Sequence, residues 1–204
     1  TISIADEPGI VETDANFNHN FTVSMTGVAQ SPVVISFTTT YGTATATDIT
    51  AQTAVSYTIP AGSTSITIPV EVLGDQIAEA TEAFTGAIAI TNANGQQITV
   101  LDGSTTGTIA DDDAYTISIA DEPGIVETDV NFNHNFTVSM TGVAQSDVVI
   151  SFTTTYGTAT ATDITAQNAA SYTIPAGSTS ITIPVQILGD DIAEATESFT
   201  GAIA

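Results

Sequence analysis

Apolar and polar residues alternate along most of this chain, and a period of two is the mark of a half-buried β-strand. Phe21, Val23 and Met25 alternate with Thr22, Ser24 and Thr26, and Val33, Ile35 and Phe37 alternate with Val34, Ser36 and Thr38. Within Thr64–Leu73, Ile66, Ile68, Val70 and Val72 make one face while Thr67, Pro69 and Glu71 make the other. Phe84, Ala87 and Ala89 continue the theme with a less regular period. Ile98 and Val100 lead to a turn at Asp102–Gly103, and Thr106–Ile109 closes the series. Turn residues punctuate these runs at Pro8–Gly9, Tyr41–Gly42, Pro60–Gly62 and Asn94–Gly95. About seven short strands in such a length predict an antiparallel Ig-like β-sandwich. One segment stands apart. Asp75–Glu82 (DQIAEATE) has helical composition but is too short to hold a helix alone, so it is expected to cross one end of the sandwich as a loop or single turn.

The whole pattern then recurs. Thr1–Ala89 and Thr116–Ala204 differ at eight of 89 positions. A period this long exceeds a solenoid turn and gives each copy enough chain for its own core. The expected organisation is repeat one at residues 1–113, a junction at 114–115, and repeat two at 116–204. Repeat two is read as truncated, because it lacks counterparts of Ile90–Asp113 with their last strand and acidic run. A two-residue junction without a Gly/Ser spacer predicts end-to-end stacking with little freedom. Catalysis seldom needs a site copied almost unchanged, whereas length and multivalency do, so a non-enzymatic role is expected.

Composition sharpens this. The chain has 204 residues, 23 Asp plus Glu, no Lys or Arg, and a formal charge of −23; Cys and Trp are absent. No disulfide staples the fold, so packing or bound ions must hold each domain. Without basic residues neither nucleic acid nor an anionic membrane surface is an expected partner. No apolar run approaches the roughly 20 residues that span a bilayer, so membrane insertion by this segment is not expected. With no initiator Met or signal peptide, the sequence reads as an excerpt from a longer polypeptide. Every carboxylate must find water, a backbone donor or a bound cation.

The acids gather at strand ends and loops. Asp111-Asp112-Asp113 ends the first repeat, Asp48 ends the GTATATD loop, Asp75 follows Leu73–Gly74, Glu79 and Glu82 lie in the crossing loop, and Glu12 sits in the opening VET. In a sandwich with these strands, their loops can converge at one end. Six to eight hard oxygen ligands with tolerant geometry are what calcium takes; magnesium demands a tight octahedron, and zinc is disfavoured without Cys and with two His. A solvated acidic face is the competing reading.

Three stretches carry a family resemblance: TTYGTATATDIT, AGSTSITIPVEVLGDQIAEATEAF and GTIADDD. Together they resemble the Calx-beta repeat, across all of repeat one and all of repeat two as far as it extends. The resemblance implies tandem seven-stranded sandwiches with a calcium cluster at the end where the next domain joins. It suggests Glu12, Asp48, Asp75, Glu79, Glu82, Asp111, Asp112 and Asp113 as ligands, matched in repeat two by Glu127, Asp163, Asp190, Glu194 and Glu197. Gly74 and Gly189 depart from it, since a fully equipped family site carries another aspartate there. Fewer ions than the best-furnished members hold are therefore expected.

Other motifs add little. His19 and His134, one position seen twice, read as surface or strand-end histidines. Asn20-Phe21-Thr22 and Asn135-Phe136-Thr137 match the glycosylation sequon in a chain rich in Thr. The single run Thr43, Thr45, Thr47 in each repeat makes no extended ice-binding array. No spacing singles out a catalytic triad, and no aromatic platform accompanies the acids for sugar binding. The expected function is a calcium-stiffened extender segment of a large adhesin or surface fibre, extracellular and either secreted or attached to the cell surface. Its partners would be neighbouring repeats of the same polypeptide and, in fibres, other copies. A self-assembling filament subunit completed by a neighbour's strand and a calcium-sensing regulatory module are the alternatives.

Overall fold

The computed structural model describes residues 1–204 and contains strands, turns and loops without an α-helix. The strands are β1 (Ile2–Ile4), β2 (Ile10–Val11), β3 (Phe17–Met25), β4 (Val33–Tyr41), β5 (Val55–Ile59), β6 (Ser65–Val72), β7 (Ile77–Ala78), β8 (Glu82–Asn92), β9 (Val100–Asp102) and β10 (Ser104–Ala110). They continue as β11 (Thr116–Ile119), β12 (Phe132–Thr141), β13 (Val143–Ala144), β14 (Val148–Tyr156), β15 (Ala170–Ile174), β16 (Ser180–Ile187) and β17 (Phe199–Ile203). Two compact units result, Thr1–Gln76 with Ala80–Asp112, and Ile77–Glu79 with Asp113–Ala204.

In the first unit one sheet runs β6-β3-β1-β9 and the other β2-β10-β8-β4-β5. This is the tandem all-β sandwich the alternation predicts, with one addition. The opening segment splits between sheets: β1 pairs antiparallel with β3, whereas β2 pairs parallel with β10, and β9 adds a parallel edge to β1. Inward residues of both sheets interlock in one core whose largest side chains, Phe21, Phe37 and Phe84, are fully buried. Each such side chain contributes about 1.5–3 kcal/mol of transfer free energy. Phe21 meets Phe84 edge-on, with ring centroids 5.9 Å apart.

The irregular period near Phe84 has a steric cause. The inward row of β8 is Glu82, Phe84, Gly86 and Ile88, so Ala87 and Ala89 face out. A Cβ on Gly86 would stand 2.7 Å from the Phe37 ring, and on Gly107 of β10 it would stand 2.4 Å from the Phe84 ring. Glycine occupies these core positions because large rings occupy the space opposite. In the turn after β8, closed by the Gln96 N–H on the Ala93 carbonyl at 3.0 Å, Asn94 and Gly95 take φ of 48° and 78°, the left-handed pair of a type I′ turn. Ala54 and Ala169 hold the same left-handed geometry (φ 49° and 48°) in both repeats, each N–H bonded to a Thr hydroxyl, of Thr38 and Thr153, at 3.0 Å.

The second unit repeats the plan with sheets β11-β12-β16 and β15-β14-β17. Its core gathers Phe136, Val138, Phe152, Ile174, Ile183 and Val185. A two-stranded parallel sheet, β13 with β7, also belongs to it. The crossing segment Asp75–Glu82 forms no helical turn; β7 is its regular structure, and Glu82 opens β8. No helix in the molecule is long and apolar enough to cross a membrane.

Candidate metal centre

Asp48 is fixed by its own loop. Thr45 donates its N–H (2.5 Å) and its hydroxyl (2.9 Å) to Asp48 Oδ2, and the Thr47 hydroxyl donates to Oδ1 at 3.0 Å. Leu73 N–H, just past β6, donates to the Asp48 carbonyl at 2.9 Å, which ties the loop to the sheet. The second repeat reproduces this: Thr160 N–H and hydroxyl reach Asp163 Oδ2 at 2.6 and 2.8 Å, and Thr162 reaches Oδ1 at 3.1 Å. The last two threonines of the T-x-T-x-T run therefore cradle the carboxylate, while Thr43 accepts the Ala83 N–H at 2.8 Å.

Glu12 is anchored across the fold, its Oε1 accepting the Asp75 N–H at 3.1 Å; Glu127 accepts the Asp190 N–H at 3.2 Å. The chain before each aspartate closes tightly on the opposite loop. A Cβ on Gly74 would fall 1.8 Å from the Thr13 carbonyl oxygen, and one on Gly189 1.9 Å from that of Thr128. Glycine here is a steric requirement of this backbone, which explains the departure from a fully equipped family site. Asn16 and Asn131 accept the N–H groups of Gly74 and Gly189 at 3.2 and 3.1 Å.

Carboxylate oxygens of Asp163, Glu194 and Glu197 lie within 4.8 Å of one another, and those of Asp48 and Glu82 do the same in the first unit. Oxygens bound to one calcium at about 2.3–2.6 Å can be at most about 5 Å apart, so this spacing suits a shared ion. The donors are oxygens alone, which fits a hard dication. Glu79, at the position of Glu194, accepts a hydrogen bond from Gln145 Nε2 at 2.7 Å and groups with the second unit. The terminal acidic run divides. Asp111 lies close enough to Glu12 to affect its ionisation. Asp112 brings an oxygen within 4.8 Å of Asp14, a residue outside the predicted set, and Asp113 is half-buried. Asp14 follows the VET containing Glu12, and its place beside Asp112 depends on where β10 delivers the chain. Composition carried no signal for that.

The ionisation pattern follows from this crowding. Burial raises Glu12, relieved in part by the Asp75 N–H and reinforced by Asp75, Asp111 and Asp48. For Asp48 burial pushes upward, yet hydrogen bonds from the Thr45 backbone, Glu82 and the two Thr hydroxyls outweigh it and hold the carboxyl below the aspartate norm. Asp163 is lowered, chiefly by the Thr160 N–H. Glu194 is raised by desolvation and by Asp163, Asp190 and Glu127; Glu197 is raised by desolvation and its hydrogen bond to Asp163. Glu194 and Glu197 therefore carry the strain of neighbouring negative charge, which is what an uncompensated cluster imposes.

His19 overturns the expectation of a surface or strand-end histidine. It is 5% exposed on the core face of β3, edge-on to Phe21 at 4.5 Å, and its buried Nε2 makes no hydrogen bond. Burial lowers its pKa, with Glu7 opposing. The NHNF stretch looks polar, but its alternation with Phe17 and Phe21 places His19 inward.

The family model described as Calx-beta domain matches residues 4–113 and again 110–204. A search of curated proteins found no match. Among solved structures, CBD12 from CALX1.2 and the calcium binding domain CBD12 of CALX1.1 are each 19% identical with a TM-score of 0.44, covering 96% of this chain and 76% of theirs. The E. coli chaperone DraB is 10% identical with a TM-score of 0.37, covering 90% of this chain and 85% of its own.

Proposed function

Because this chain belongs to the Calx-beta family and carries two of its domains in tandem, we propose that it is a calcium-stiffened extender segment of a large extracellular adhesin or surface fibre, with no catalytic role. The observation that carries the reading is the repeated cluster of oxygen donors, Asp48 with Glu82 and Asp163 with Glu194 and Glu197, in a chain without one Lys or Arg. A bound dication supplies the positive charge the sequence lacks. Asp48 and Asp163 enter that role already ionised and aimed by their threonines, while Glu12 and Glu127 are held by the Asp75 and Asp190 N–H groups. The raised Glu12, Glu194 and Glu197 are the groups whose charge an ion would relieve.

Asp111–Asp113 directly precede the link Ala114–Tyr115, so a cation held by the run would restrict that link and stiffen the array. Two nearly identical copies favour a length-setting role over sensing, because a sensor gains from sites of differing affinity. Absence of Lys and Arg removes every trypsin-type cleavage site, which suits a stalk exposed outside the cell, secreted or surface-attached. Its structural partners would be neighbouring repeats of its own polypeptide. The test joins calorimetry with small-angle scattering, in calcium and in chelator. A higher Tm and a longer, stiffer particle in calcium are expected; no calcium heat, with unchanged Tm and dimensions, would overturn the reading.

A further inference from the structure

We propose that Thr43 and Thr158, the first threonines of the two T-x-T-x-T runs, are positioning residues for the metal centre. Each uses its hydroxyl to clamp the segment that carries a glutamate ligand, Glu82 or Glu197, against the loop that carries Asp48 or Asp163. The inference rests on the calcium reading of these sites and adds residues that hold no ion themselves.

β4 and β8 stay paired as far as Tyr41 and Phe84, and β14 and β17 as far as Tyr156 and Phe199. Beyond that point the chain leaves the ladder for the cradle loop, yet one more residue is held. The Gly42 and Ala44 N–H groups both donate to the Ala83 carbonyl, at 3.1 and 3.0 Å, and the Ala83 N–H donates to the Thr43 hydroxyl at 2.8 Å. Both backbone groups of the residue after Glu82 are thereby taken by the three residues that open the Asp48 loop. The second repeat keeps this clamp although serine replaces the alanine. Gly157 and Ala159 donate to the Ser198 carbonyl at 2.9 and 3.1 Å, and the Ser198 N–H donates to the Thr158 hydroxyl at 2.9 Å. Glycine at 42 and 157 belongs to the same device, since a Cβ there would stand 2.6 Å from the carbonyl oxygen of Ala83 or Ser198.

The three threonines of each run thus divide the work. Thr45 and Thr47 aim the Asp48 carboxylate, whereas Thr43, two residues earlier, fixes the backbone next to Glu82. A side-chain hydroxyl stands where a strand would offer a carbonyl, so the chain can turn toward Asp48 without releasing the glutamate segment. Position matters because the tolerance is small. The Asp48 and Glu82 oxygens lie within 4.8 Å of one another, and two oxygens on one calcium can be at most about 5 Å apart.

The experiment compares the full chain with two double variants, Thr43→Val with Thr158→Val and Thr43→Ser with Thr158→Ser. Valine keeps the branched shape and removes the acceptor, while serine keeps the hydroxyl; both threonines are exposed, so neither change disturbs the core. Calcium affinity is read by titration calorimetry, and Tm is read in calcium and in chelator. The valine form should bind calcium roughly threefold to tenfold more weakly and lose more Tm in calcium than in chelator. The serine form should bind as the parent chain does. Unchanged affinity in the valine form, an equal loss of Tm in both buffers, or a serine form as weak as the valine form would overturn the proposal while leaving the calcium reading intact. A parent chain that takes up no calcium would overturn that reading, and this inference with it.

Discussion

The two repeats hold the same residues in unlike surroundings, and the comparison separates what β10 does from what the rest of the fold does. Glu12 is 4% exposed and its N–H donates to the Ala110 carbonyl at 2.7 Å; Glu127, the same residue in the same local sequence, is exposed. Ile4 is buried while Ile119 is half-buried, and Phe84 is buried while Phe199 is half-buried. By contrast the Asp48 and Asp163 cradles agree to within about 0.1 Å in each hydrogen bond. Local hydrogen bonds are written into short stretches of chain. Burial of the acids depends on a strand from the far end of the domain.

If that division is right, perturbations acting through β10 should split the two repeats and local ones should not. Calcium should produce the largest effect. At a hundred times its Kd an ion adds about 2.7 kcal/mol, roughly 10–20 °C for a domain of this size. Both units should gain, because each holds an aspartate in a matching cradle; calorimetry in calcium and in chelator checks this, and a gain in one unit alone would break the comparison. Next come Gly74→Ala and Gly189→Ala, where a methyl meets a carbonyl oxygen at the same closure in both repeats. Each should cost about 1–3 kcal/mol or more, equally, by chemical denaturation of the two single variants.

Acid should act through His19. Its pKa is depressed below the ordinary 6.5, so the stability it confers is complete above 6.5 and is lost as pH falls toward the folded value. The slope should reach at most about 1.4 kcal/mol per pH unit, fall on the first unit, and vanish in His19→Phe. Glu12 has the opposite sign. Its raised pKa gives stability present below the ordinary 4.5 and lost as pH rises through the folded value. In chelator, then, Glu12→Gln should flatten that loss, measured as Tm against pH. The smallest effect should come from Ala54→Gly and Ala169→Gly, which relieve left-handed alanines and should each stabilise by about 0.5–1 kcal/mol, alike in both repeats.

Much of this was legible in the chain. Alternation at Phe21–Met25, Val33–Phe37 and Thr64–Leu73 marked three strands because one face of each meets a core and the other meets water. The period near Phe84 blurred because Gly86, a core residue, looks neutral in sequence; its role is visible only against the Phe37 ring. His19 was misjudged for a related reason, since a polar letter on an inward position reads as surface until its neighbours are placed. Asp14 went unnoticed because its partner, Asp112, is 98 residues away.

The sequence by itself determined an all-β tandem repeat, a metal-friendly set of oxygen donors, and the absence of any internal cation to neutralise them. These follow from periodicity and composition, which act residue by residue. Tertiary structure decided which acids are buried, that a side chain at Gly74 or Gly189 would meet a carbonyl oxygen on this backbone, and how the opening segment divides between β1 and β2. Such outcomes depend on contacts between segments far apart in the chain, and no local pattern encodes the distance that a folded core imposes on them.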